Sequence, residues 1–591
     1  MKEVLVVDLL TKRDARKLSG KYAEIWYLYT DNVSFNNKIK SISEYKSKNP
    51  IFWQKEYLAL QLCNKSYTTR LDKQLNHLHK NLNNIKLIYK KLQTNEYTSD
   101  FIMASVVKVF ITNLIDGNEK KIAVTYKNNQ FLCLHEYPEQ VKVIRKIGIR
   151  TIIKKLAWLN AYFGYYLYNI LKMKYKNIEG RPRKDYDILF YFDRKGQEIE
   201  WKYFLDKLSQ NNKIAIYFHH RPRTKHIKDD LEEILTNVER GSNISKDDVF
   251  IDENFRYLNV KNKFHHLLKG FKNYITINFW LLADFRNIEY YTKYFLTELE
   301  TIIYKNVLNE IDTKRFITIG EYEPDLNIRT TVWKSSGAIT ENVVHGLKQA
   351  IFEDSYIYLD RIYVWDDVME NEFRKMDCKI GEYIYSGPKY VHKVHDTPTW
   401  KSPISKKTIG IFSNDIESLD PTWAFGLANG EKFKNSFFEH VLFCAKNNPK
   451  YNFIVIPHPR ERQRRYIIKK FDSELLKLPN VTIDFEGGRL GSFKYVRTLD
   501  LGITMQSSIG FEMLFSGFKC IFFDFNRNGY LYKYRQRYGE IFTNPDEFSI
   551  ETWSDFVISK ADQSKEEFFK QYSDIPIYGK NSLIDLILPN E

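Results

Sequence analysis

The chain has 591 residues, of which 43% are hydrophobic and 16% aromatic, and its 90 basic against 74 acidic side chains give a formal net charge of +16. That length exceeds a single hydrophobic core, so two or three domains are expected, and the apolar content excludes a disordered polyelectrolyte. The five cysteines (Cys63, Cys133, Cys378, Cys444 and Cys520) form no CxxC pair, which excludes a zinc knuckle or a disulfide framework and fits a reducing compartment.

The opening MKEVLVVDLLTKRD turns charged too soon for a signal peptide. No apolar run reaches the about 18 residues of a membrane span. A cytoplasmic protein is expected, and the positive excess favours an anionic partner without choosing between nucleotide, nucleic acid and lipid headgroup. Residues 1–30 read as strand, turn, strand, and 41–115 as mainly helical. Between Lys142 and Ile178 there is no acidic residue, and lysines and arginines alternate with Trp158, Tyr162, Phe163, Tyr165, Tyr166 and Tyr168. Such a helix suits the interface of an anionic membrane, with aromatics at headgroup depth; an amphipathic helix packed on a domain is the plainer alternative.

From residue 186 the rhythm becomes that of parallel α/β structure. YDILFYF and KIAIYF are strands flanking a helix, a less regular part runs to about residue 285, and a long helix over about 288–310 leads into the strand RFITIG. ITENVVHG, DRIYVWDD and GEYIYSGP follow as strands; Gly387-Pro388 then opens a linker, KYVHKVHDTPTWKSP. KTIGIFSND, YNFIVIPHPR, VTIDFE, LDLGITM and KCIFFDF restart the alternation, with helices between them and a helical tail from 550. The expected architecture is α/β with two doubly wound, Rossmann-like domains facing a cleft: 1–180 an N-terminal, mainly helical addition with a strand pair, 181–400 the first domain, and 401–591 the second with C-terminal helices.

Doubly wound sheets bind ligands beyond the carboxyl ends of their strands. His458 stands there between Pro457 and Pro459, with Arg460, Arg462, Arg464 and Arg465 after it. The prolines restrict the backbone and aim the imidazole, and a histidine beside arginines is suited to phosphate; a loop histidine on a solvated basic helix is the alternative. In LGITMQSSIGFEM, the polar knot Gln506-Ser507-Ser508 opens a helix whose free N–H groups favour an anion. Ser507 alone could be an ordinary N-cap, and Glu512 either a ribose ligand or a capping carboxylate. In the other half, Glu321, Glu323 and Asp325 follow one strand and His345-Gly346 the next, where a general base for an acceptor hydroxyl would sit; a solvated helix face is the alternative for the acids. P-loop, GxGxxG, GxSxG and HExxH motifs are absent, and Asp366-Asp367 reads as a strand-end turn rather than a metal pair.

VVHG in the first half, with IPHPRE and QSSIGFEMLFSGFKCIFFD in the second, resembles the GT-B glycosyltransferases of bacterial surface-polysaccharide synthesis. These include sialyl- and polysialyltransferases, capsule Kdo transferases and CDP-glycerol glycerophosphotransferases. The resemblance covers about residues 185–545 and implies that His458, Pro459, Ser507 and Ser508 hold the phosphate of a cytidine nucleotide, with Arg460, Gln506 and Glu512 around it. It implies a sugar, Kdo or a nonulosonic acid, moved with inversion from a CMP-activated donor to a glycan or lipid-linked glycan acceptor at the inner face of the plasma membrane, without metal or other cofactor. The acidic-acidic-glycine triplet of the sialyltransferases is missing, which leaves Glu321, Glu323 or His345 as the base. The alternatives are a CDP-polyol phosphotransferase, a UDP- or GDP-sugar transferase of the same fold, or a non-catalytic basic module for membrane or RNA. Nucleic acid is not an expected partner, because no RNA-binding motif accompanies the charge.

Overall fold

The computed structural model describes residues 3–10, 21–30, 39–41, 107–112, 114–115, 121–126, 139–145, 149–177, 182–193, 197–219, 227–241, 243–283, 291, 294–321, 323–346, 356–397, 406–414, 430–467, 469–486, 491–505, 507–524, 532–544 and 548–588. Three parallel sheets organise them. The N-terminal sheet contains β1 (Glu3–Leu10), β2 (Glu24–Thr30), β3 (Ile39–Ser41), β4 (Lys121–Tyr126) and β5 (Val141–Arg145) in the order β3-β2-β1-β4-β5. The expected strand pair is present, but it is parallel, with Leu5 opposite Ile25, and belongs to a larger sheet. Most of the stretch expected to be helical between 41 and 115 lies outside the described residues.

α1 (Ile149–Lys172) connects this sheet to a two-stranded ribbon, β6 (Lys174–Tyr175), and then to the middle sheet. The middle sheet comprises β7 (Lys184–Phe192), β8 (Ile214–Phe218), β9 (Val249–Ile251), β11 (Ile311–Thr318), β12 (Ile339–Val343), β13 (Tyr358–Val364) and β14 (Lys379–Tyr385); β10 (Tyr257–Leu258) pairs with β6. Its order, β14-β13-β12-β11-β7-β8-β9, runs outward from β7 to one edge and then returns to the other side. The stretch before 285, expected to be irregular, contains α2 (Val260–Ala283), a 24-residue helix lying against α1. α3 (Tyr294–Leu308) is the expected long helix before β11, and α4 (Leu326–Ser335) follows that strand.

The C-terminal sheet comprises β15 (Thr408–Phe412), β16 (Asn452–Ile456), β17 (Val481–Ile483), β18 (Leu501–Thr504), β19 (Cys520–Phe523) and β20 (Phe542–Thr543), in the order β17-β16-β15-β18-β19-β20. β15, β16, β18 and β19 are legible as buried runs, because a parallel strand covered by helices on both faces needs no polar alternation, whereas the edge strand β17 exposes Thr482. Its interior is apolar: Ile409, Ile411, Val455, Ile503 and Ile521 are fully buried.

The middle and C-terminal units are joined three ways. Asp366 caps α5 (Asp367–Arg374), accepting from the Met369 N–H at 3.0 Å, and also accepts from Tyr538 Oη at 2.9 Å and Tyr534 Oη at 3.3 Å on α9 (Tyr532–Tyr538) of the other unit. Burial lifts its carboxyl to about 6. The acidic pair is thus an N-cap and an interdomain tie. The chain's last helix, α10 (Ser582–Ile587), returns to the middle unit: Leu583, Ile584 and Ile587 share a core with Ile188, Phe190 and Phe192 of β7, so the expected 401–591 unit gives its last helix to the first. The third join is the connecting segment, of which α6 (Val391–Asp396) is buried rather than a loose linker. It begins at Gly387, with φ +68°, where an added Cβ would lie 2.4 Å from Tyr578 Cδ2. Gly387→Ala is therefore expected to cost about 1–3 kcal/mol, read as a lowered midpoint in chemical denaturation.

Candidate functional site

In the C-terminal sheet the chain builds from β15 to one side through β16 and β17, then crosses back to β18. The crevice of a doubly wound sheet opens at that reversal, beyond the carboxyl ends of β15 and β18. The register makes three strand ends level: Phe412 is opposite Ile456 and also opposite Thr504. His458 follows Ile456 and Ser507 follows Thr504, so both lie at one edge of one sheet, on either side of β15. Adjacent strands are about 4.8 Å apart, which sets the two strand ends about 10 Å from each other.

His458 is the N-cap of α7 (Pro459–Arg464), with Pro459 at the first helical position. Its Nδ1 accepts the Arg460 N–H at 3.4 Å, and its own N–H donates to Glu461 Oε2 at 2.7 Å. With Nδ1 used as acceptor, the neutral ring carries its proton on Nε2 and is a donor there. Glu461 is fully buried; its Oε1 lies 2.5 Å from Lys434 Nζ and accepts from Ser413 Oγ at 3.0 Å, which pins the histidine turn to the end of β15. Arg460 is exposed at the rim of this turn.

Ser507 is the N-cap of α8 (Ser508–Phe515) in extended backbone, but its hydroxyl makes no capping bond. Ser508, half-buried beside it, bonds Glu512 one turn on. Gln506 lies outside the described residues. Gly510, on the same turn, allows the helix to sit down on the sheet: a Cβ there would be 2.6 Å from Phe522 and 2.7 Å from Thr504. Glu512 is 4% exposed, and burial raises its carboxyl to about 8 against the opposing pull of Lys389 and Ser508. It is therefore protonated at neutral pH. Stability from this shift is complete below the ordinary value of 4.5 and is lost as pH rises through about 8. Wild-type stability is expected to fall between pH 5 and 8, and Glu512→Gln to flatten that part of the profile in denaturation measured across the range.

The middle sheet reverses between β7 and β11, and there the expected acids take up inward roles. Glu321 is fully buried and accepts the His345 N–H, at 3.1 Å to Oε2, and Asn342 Nδ2 at 3.3 Å. It positions the histidine backbone and does not face solvent. Glu323 is also buried, ion-paired with Arg329, and bonded to Asp193. Burial pushes the Glu323 carboxyl up, the Arg329 guanidinium opposes that rise, and the Asp193 carboxylate adds to it. Arg329 is shared with Asp325 at 3.1 Å, and Asp325 accepts from Tyr304 Oη at 2.7 Å. Gly320 makes room for this fold-back, since a Cβ would lie 2.6 Å from Glu323 Cδ. The solvated-face alternative for the acidic trio is thus excluded: all three are buried, Glu323 and Asp325 against the fully buried Arg329 and Glu321 against Asn342 and the His345 N–H.

Two residues outside the sequence expectation complete the arrangement. Asp193, half-buried, ends β7 at the reversal point and accepts from Gln197 Nε2 at 2.7 Å. Lys389, 3% exposed, lies 3.0 Å from His345 Nδ1 and 3.8 Å from Glu200 Oε2, and it also acts on Glu512 of the C-terminal unit. One buried cation therefore bridges the two units. An ammonium only donates, so His345 Nδ1 is its acceptor and Nε2 carries the imidazole proton. His345 itself is half-buried.

No known family and no curated protein matches the chain. Among solved structures, the UDP-GlcNAc 2-epimerase from Neisseria meningitidis bound to UDP-GlcNAc is similar at 11% identity, over 68% of this chain and 100% of that one, with a TM-score of 0.38. The UDP-GlcNAc 2-epimerase from Methanocaldococcus jannaschii, in complex with UDP-GlcNAc and UDP, is similar at 13% identity over 68% and 98%, with a TM-score of 0.38. A variant of the O-GlcNAc transferase from Thermobaculum terrenum aligns over 92% of this chain and 96% of that one, at 10% identity and a TM-score of 0.32. At these scores the likenesses add nothing to the strand orders, on which the fold rests. Two doubly wound parallel sheets, bridged by the buried Lys389 and closed by a C-terminal helix that returns to the first, make this a GT-B α/β protein.

Proposed function

We propose that the protein is a glycosyltransferase that moves a sugar from a nucleotide-activated donor, with the donor phosphate seated between His458 and the Ser507 turn. The observation that carries the reading is the level placement of these two strand ends at the reversal point of the C-terminal sheet. His458 Nε2–H, the Ser507 hydroxyl and the first N–H groups of α8 are donors suited to the charge that builds on a departing phosphate. A single phosphate seat favours a CMP-activated donor, a Kdo or nonulosonic acid, over a diphosphate one.

The base is then reassigned. Glu321 and Glu323 are buried and engaged, and the Lys389 ammonium leaves a proton on Nε2 of His345. Asp193 is the half-buried carboxylate at the facing reversal point. In the proposed reaction its carboxylate takes the proton of the acceptor hydroxyl, the acceptor oxygen forms the new glycosidic bond with inversion, and the bond from the anomeric carbon to the phosphate breaks as the nucleotide leaves with both electrons. His345 Nε2–H serves as a donor to the donor sugar or its phosphate.

Purified protein assayed with CMP-Kdo, CMP-sialic acid, CDP-glycerol, UDP-GlcNAc and a GDP-sugar tests this reading. Release of CMP dependent on a glycan acceptor, with Asp193→Asn retaining donor affinity but losing transfer, is expected. Turnover with UDP- or GDP-sugars alone would replace the donor assignment, and turnover with none would overturn the enzyme reading.

A further inference from the structure

α1 and α2 form an antiparallel pair. Phe163 stacks on Tyr274 at 4.1 Å, Tyr166 Oη donates to the His266 carbonyl at 3.0 Å, and Lys263 Nζ donates to the Leu171 carbonyl at 3.2 Å. Gly270 permits the close approach, since a Cβ there would be 2.6 Å from Tyr166 Cε1. The inner faces, including Leu159, Phe163, Ile170, Ile277 and Leu281, are buried in the core shared with the N-terminal and middle sheets.

The outer face is apolar as well. Val260, Phe264, Leu268, Phe271, Ile275 and Phe279 recur at steps of four, four, three, four and four along α2, and each is 48–69% exposed. At 1.5 Å per residue this stripe runs about 30 Å. Ile153, Tyr168 and Leu171 of α1 are 53–63% exposed. Leu171 and Phe271 also border the contact between the helices, so the two stripes adjoin along one seam. Neither helix contains an acidic residue, and Lys154, Lys172, Lys261 and Lys272 are exposed around the stripes. No described helix is long and apolar enough to cross a membrane.

We infer that the α1–α2 face lies flat on an anionic lipid surface. The apolar seam would enter the boundary between headgroups and acyl chains, while the lysines meet lipid phosphates and Trp158, half-exposed beside them, sits at headgroup depth. Charge chooses the occupant. A second copy packed on this face by two-fold symmetry would set cationic rims against each other with no acid on either helix to answer them, whereas anionic headgroups complement them. The stretch 142–178 supplies one half of this face; α2 supplies the other. The inference is independent of the transferase reading.

Co-sedimentation of the full chain with vesicles tests it. Binding to phosphatidylglycerol/phosphatidylcholine vesicles and weak binding to phosphatidylcholine alone are expected. The triple variant Phe264→Glu, Ile275→Glu, Phe279→Glu should partition at least about tenfold more weakly with an unchanged unfolding midpoint, because all three side chains are already in water. Lys154→Glu with Lys272→Glu should abolish the preference for anionic vesicles. Wild-type protein left in the supernatant with both vesicle types would overturn the inference. So would a triple variant that binds like wild type, or a wild-type dimer that the triple variant dissolves while vesicles capture neither protein.

Discussion

His458→Ala is expected to lower sugar transfer by about 10²–10³-fold, and Ser507→Ala by a similar factor, with circular dichroism and unfolding midpoint close to wild type. Both residues contribute donors aimed at the edge where β16, β15 and β18 end level, and neither belongs to the core. The fold-retaining outcome is specific for each. His458 caps α7 through its ring nitrogen, while Glu461, buried against Lys434 and accepting the His458 backbone N–H, keeps the turn in place whatever the side chain at 458. Ser507 makes no capping bond whose loss would loosen α8. Because both groups act on one phosphate, the double variant should lose less than the product of the two single effects. Full multiplicative loss would place them on separate ligands.

Lys389→Met is expected to be the most destabilising of the cleft substitutions, costing about 3–5 kcal/mol in denaturant unfolding, since it leaves the buried Glu200 carboxylate without its charge partner. The cluster spans both units: Glu200 and His345 come from the middle unit and Glu512 from the C-terminal one. The substitution also has a signature that mere packing loss lacks. Lys389 holds the Glu512 carboxyl down, so without it the pH window over which stability falls should move to higher pH. A cost under about 1 kcal/mol with an unmoved pH profile would remove Lys389 from its role as the junction of the two units.

Much of the fold was legible because parallel strands buried on both faces stand out as apolar runs, as β7, β8, β15, β16, β18 and β19 do, while β12, β14 and β17 were placed by the alternation around them rather than by buried apolar runs of their own. α2 was not legible, and the reason is physical. Its inward residues are apolar because they pack on α1, and its outward residues are apolar as well, so the alternation that marks an amphipathic helix is blurred. The N-terminal sheet was only half visible: β3 is three residues long, and parallel pairing of β1 with β2 leaves no turn signal in sequence. In the site, His458, Ser507 and His345 announce themselves as polar residues at strand ends. Asp193 carries the same signal after YDILFYF and is distinguished only once Glu323 folds back onto it. Lys389 has no such signal. A lysine after Gly387-Pro388 reads as a solvated linker residue, and its burial arises only when two separately folded sheets close on it. Glu323 and Asp325 mislead in the opposite sense, because pairing with Arg329 is invisible until the helix after β11 turns the guanidinium inward.

The central claim is tested most directly by crystals of the protein soaked with CMP. The nucleotide phosphate should lie within hydrogen-bonding distance of both His458 Nε2 and Ser507 Oγ, at the level ends of β16 and β18. A phosphate bound at another edge of the sheet, or no bound nucleotide at millimolar CMP with UDP and CDP equally absent, would contradict it.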